Sequence, residues 1–134
     1  MTLLSSHVIE IPVSLGELID KISILQIKSE RVTDATKLEN IFRELELLEG
    51  RRRVLIGDDV RIHDLAARLK VVNECIWSLE DTIRECECRN DFEDVFIQTA
   101  RQIYRTNDAR ASLKRELNLI FGSHIVEEKS YKPY

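Results

Sequence analysis

The chain has 134 residues, 43% of them hydrophobic and 33% charged, which is enough apolar material for one buried core and too much for a disordered chain. Twenty Lys and Arg against twenty-four Asp and Glu leave a net charge of -4, so no global positive field draws nucleic acid or an anionic membrane. Four glycines and two prolines are too few for the frequent turns of an all-β fold and favour a few long helices with short links.

In chain order, Met1 to His7 has neither a basic start nor a long apolar run, and no later apolar run reaches the length of a membrane span. The expectation is a cytoplasmic protein with no membrane partner. Residues 8–12 alternate, with Ile9, Ile11 and then Val13 on one side, the pattern of a short strand that Pro12 confines to an edge. Ser14-Leu15-Gly16-Glu17 is a capping box flanked by Val13 and Leu18 as a hydrophobic staple, so a helix over 15–32 follows. Thr33 to Thr36 offers caps for a second helix over 36–56, carried by Leu38, Ile41, Phe42, Leu45, Leu48 and Leu55 and stopped by Gly57.

Asp58 or Asp59 caps a third helix over 60–89. Its apolar residues Ile62, Leu65, Leu69, Val72, Ile76, Leu79, Ile83 and Cys86 recur in unbroken steps of three and four. Asn90 or Asp91 caps a fourth helix over 92–121 with the same rhythm, ending at Gly122. The short link makes these two helices an antiparallel hairpin in which opposed residue numbers sum to about 181. Residues 124–129 read as a second short strand and 130–134 as a polar, aromatic tail. The expected fold is mainly α: one domain over 1–134, a four-helix antiparallel bundle whose terminal strands are placed to pair as a short ribbon.

Cys75, Cys86 and Cys88 lie on one helix, where 86 and 88 point about 200° apart, so no shared disulfide or metal site forms and free thiols are expected. His7, His63 and His124 lack ligand spacing, and no metal motif, phosphate loop or nucleophile elbow occurs, so neither a metal nor a cofactor is expected. Arg51-Arg52-Arg53 sits among acids without aromatic interleaving and reads as a solvated face.

The one break in the core rhythm is polar. Thr106 and Arg110 occupy seam positions of the fourth helix beside Asn107, level with Asn73 and Trp77 of the third, and an interior charge needs partners. One reading is structural: Arg110 pairs with Glu80, sets the register, and tolerates replacement by Met. The other is a pocket for an anionic or sugar-like ligand, formed by Asn73, Trp77, Glu80, Tyr104, Asn107 and Arg110, with Asp20 and Lys21 from the first helix. A magnesium-dependent all-α nucleotide-processing site would use Glu17-x-x-Asp20 and Asp81-x-x-x-Glu85, carboxylates at helical spacing.

The segments Ile11-Pro12-Val13-Ser14-Leu15-Gly16-Glu17-Leu18-Ile19-Asp20-Lys21-Ile22, Tyr104-Arg105-Thr106-Asn107-Asp108 and Ile125-Val126-Glu127-Glu128-Lys129-Ser130-Tyr131, with Asn73-Glu74 to Trp77 and Glu80-Asp81, together resemble a bacterial and phage family of unknown function over essentially the whole chain. The resemblance brings no catalytic residues. It implies a surface-polysaccharide gene setting and hence a sugar-related ligand or an accessory role. The leading expectation is a non-catalytic interaction or assembly bundle, with apolar residues such as Ile24, Ile27 and Leu47 left for a partner subunit in a homodimer. The alternative is the ligand pocket or the nucleotide-processing enzyme.

Overall fold

The computed structural model describes residues 7–134, so the reading of Met1–Ser6 as free of an export signal lies outside the described residues. Four helices carry the chain: α1 (Leu15–Arg31), α2 (Ala35–Ile56), α3 (Val60–Cys88) and α4 (Asp94–Phe121). None is long and apolar enough to cross a membrane. The all-α bundle with a long α3/α4 hairpin follows the sequence reading. No strand forms among the described residues, so the ribbon between 8–12 and 124–129 is absent. Alternating Ile9, Ile11 and Val13 find no neighbouring ladder, and all three stay exposed.

α1 is the axis of the bundle. It packs against α2, α3 and α4, whereas α2 packs closely on α1 alone. The core joins Leu15, Leu18, Ile19 and Ile22 of α1 to Ile62, Leu65 and Leu69 of α3 and Leu113 and Leu117 of α4. Ile27, expected at a partner interface, is 1% exposed and belongs to the interior. The α3/α4 register is as expected: Arg68 and Val72 share one shallow groove with Leu113 and Ala109.

Helix starts are satisfied locally. Asp34 accepts from the Lys37 amide and Asp59 from the Arg61 amide, each near 3 Å. α4 starts two residues later than the rhythm suggests, because Asn90 turns at a positive φ of 54° and Asp91 accepts from the Glu93 amide in the loop. The loop thus takes Phe92 out of the helix.

The start of α1 is buried, so its unpaired amides must all find acceptors inside the protein. The Leu15 amide donates to Ser123 Oγ (3.4 Å), the Gly16 amide to Asn118 Oδ1 (2.7 Å) and the Glu17 amide to Ser14 Oγ (3.2 Å). Two of those three acceptors come from α4 and the residue just past its left-handed Gly122 cap. Gly16 makes this docking possible: a Cβ there would stand 2.5 Å from the Lys114 carbonyl and 2.9 Å from Asn118 Oδ1. Because the first obstacle is backbone, Gly16→Ala must push α1 off α4, and about 2 kcal/mol or more of stability should be lost. Urea denaturation of the variant checks this; an unchanged midpoint would contradict the close docking.

Candidate functional site

One level above that contact, α1 presents a carboxylate to the interior. Asp20 is 1% exposed, and a lone buried charge there would be costly. Three helices supply its partners. Arg110 of α4 reaches it with a two-pronged fork, Nε to Oδ1 at 2.9 Å and Nη2 to Oδ2 at 2.5 Å. Asn73 of α3 donates Nδ2 to Oδ1 at 2.9 Å and also lies 2.7 Å from Ser23 Oγ, whose hydroxyl donates back to the Asp20 carbonyl. Lys114 stands 3.9 Å from Oδ2 and binds Glu17 (2.8 Å) and Glu127 (3.1 Å). No buried side-chain polar atom among the described residues lacks a partner.

The titration behaviour follows from these contacts. Burial alone pushes the Asp20 carboxyl up, but the Arg110 fork, the Asn73 amide and the Lys114 charge outweigh it and hold the group below its ordinary 3.8. The same fork raises Arg110. Burial lowers Lys114, and its bonds to Glu17 and Glu127 more than reverse this, so the ammonium persists. Glu127 is correspondingly lowered by Lys114.

Asp20, Asn73 and Arg110 converge as expected for the polar layer, but the partner of Arg110 is Asp20 rather than Glu80. Glu80 instead pairs with Arg84 along α3 at 3.5 Å. Trp77 lies under the Arg31 guanidinium, 5.9 Å from its ring centre, and Lys21 is exposed. Thr106 is accommodated by its own helix, donating to the Gln102 carbonyl at 2.7 Å. Tyr104 and Asn107 do join Arg110, on a different surface: an open groove of about 780 Å³ between α4 and the segment after it, lined on its far side by Lys129, Tyr131, Lys132, Pro133 and Tyr134. Tyr134 packs edge-on against Tyr104 with ring centres 5.0 Å apart and donates its hydroxyl to Asp108 at 2.6 Å. The tail residues carried only a compositional signal, aromatic and basic together, and nothing in their spacing says that they fold back.

The carboxylates proposed for magnesium do not gather. Glu17 and Asp20 are committed to Lys114 and Arg110, and no three His, Cys, Asp or Glu side chains group as metal ligands among the described residues. The three cysteines are free, Cys86 buried and the others exposed.

Residues 9–134 match the model of the family of unknown function DUF6165. The chain belongs to that family. No curated protein and no solved structure matches it.

Removing one partner of a buried pair leaves the other uncompensated, so Asp20→Asn should cost about 3 kcal/mol, and Arg110→Met should also destabilise instead of being tolerated. Since the folded Asp20 value lies below its unfolded one, its contribution is complete above about pH 4 to 5 and fades as the pH falls through the folded value. Stability measured by denaturation from pH 7 to pH 3 should fall less steeply in Asp20→Asn than in the parent chain. Parallel profiles would contradict this.

Proposed function

We propose that this chain is a non-catalytic assembly module of the cytoplasm whose working unit is a homodimer built through α2. The observation that carries the reading is that α2, 22 residues long, has no buried residue. A helix in a finished bundle buries a stripe along its length. Here Leu45, Leu48 and Ile56 lean on the core only partly covered. On a neighbouring face, at 100° per residue, Leu47 and Val54 are 47% and 86% exposed, and Leu55, beside Leu48, is 54% exposed.

Surface area points the same way. The chain exposes 9654 Å², against roughly 7,200 Å² for a compact monomer of its 15.6 kDa. A stable dimer needs about 800 Å² from each partner, well within that difference.

A second copy suits the face better than an unrelated partner because the face is self-complementary. Glu44 and Arg51 flank it, Arg51 holding Glu10 of its own chain at 3.3 Å in an exposed pair that a partner can displace, and an antiparallel twofold centred near Leu47 sets each Glu44 beside the Arg51 of the other chain. Free thiols at Cys75, Cys86 and Cys88 fit the reducing cytoplasm.

Light scattering at tens of micromolar should give twice the 15.6 kDa chain mass. Leu47→Glu with Val54→Glu should give a folded monomer with unchanged helix content. Arg51→Glu and Glu44→Arg should each weaken the dimer, and mixing the two should restore a heterodimer. A parent chain that stays monomeric, or a dimer indifferent to these changes, contradicts the proposal.

A further inference from the structure

The groove beside Arg110 has the make-up of a ligand site, on residues distinct from α2. Its volume of about 780 Å³ falls within the usual range for small-molecule pockets. Three cations, Arg110, Lys129 and Lys132, line it against one acid, Asp108. Most charges around it are paired: Asp20 holds Arg110, and Glu17 and Glu127 bind Lys114, while Asp108 keeps its charge and accepts the Tyr134 hydroxyl. Lys129 lies 3.8 Å from Glu127, while Lys132 forms no ion pair among the described residues.

Arg110 is the anchor. Its Nε and Nη2 are spent on Asp20, so the guanidinium is already immobile, and its Nη1 donates to nothing among the described residues. A pre-ordered donor loses little side-chain entropy when an anion arrives. Around it stand Tyr104, packed edge-on with Tyr134, and Tyr131, 77% exposed with Lys129 over its ring at 5.4 Å, together with Asn107 and Asp108, the donor and acceptor pair that a sugar hydroxyl needs.

We infer that this groove binds an organic phosphate of the nucleotide class. Arg110 and Lys132 take the phosphate, Asn107 and Asp108 the sugar hydroxyls, and Tyr104 with Tyr131 the ring. A doubly charged phosphate matches the free Nη1 of Arg110, held still by Asp20, plus the mobile Lys132 ammonium better than a single carboxylate does. The site stands whether or not the chain dimerises.

Calorimetric titration with ADP and UDP should show binding below about 1 mM, with adenosine, uridine and inorganic phosphate each weaker by about tenfold or more. Lys132→Ala and Tyr131→Ala, both far from the core, should each lower nucleotide affinity by about tenfold while leaving the melting temperature in place. Arg110→Lys, which keeps a charge for Asp20 and loses the fork, should do the same with some loss of stability. Failure of both nucleotides to bind at millimolar concentration, or equal affinity in Lys132→Ala and Tyr131→Ala, overturns the proposal.

Discussion

The architecture turns on one buried carboxylate. Asp20 lies on the central helix, inside the protein, and its charge is tolerable only because α3 and α4 both deliver polar groups to it: the Asn73 amide from one, the Arg110 fork from the other, with Lys114 behind. A purely apolar seam would let α1 slide or rotate against the hairpin at small cost, since leucines are interchangeable contacts. A bidentate pair has one good geometry, and it ties the rotation of α1 to the register of α3 against α4. Specificity of docking, more than raw stability, is the return on burying such a pair.

The same interaction connects fold and groove. Because Asp20 consumes two donors of Arg110, the arginine becomes part of the scaffold and its remaining edge lines the cavity between α4 and the tail. Below this level the Gly16 contact brings α1 against α4 so closely that Asn118 caps its buried start. Glu17, released from the second half of its capping box, is then free to bind Lys114. Local capping, helix docking and the polar node are thus successive turns of one interface.

Much of this was legible in the residues, for identifiable reasons. Three-four periodicity and caps at Ser14, Asp34 and Asp59 place three helix starts within a residue, because those signals are local. The hairpin register follows from a short link, which is also local. The partner of Arg110 was not legible, because how α1 docks on the hairpin depends on Gly16 and Asn118, a hundred residues apart. Glu80, on the neighbouring hairpin helix, is the acid that the polar stripe suggests, yet Asp20 wins because it is buried and Glu80 has Arg84. The expected ribbon failed for the complementary reason: alternation signals a strand only when another edge is within reach. The return of the tail to α4 likewise rests on the contacts of Tyr134 with Tyr104 and Asp108, which spacing does not encode.

The most direct test is a double-mutant cycle between Asp20 and Arg110, each changed to Ala singly and together, followed by equilibrium denaturation. If the carboxylate is the joint between α1 and the hairpin, the coupling energy should reach about 2 kcal/mol, near the upper end for paired residues. Simple additivity of the two single changes, within about 0.5 kcal/mol, would mean that the helices find their places without this pair.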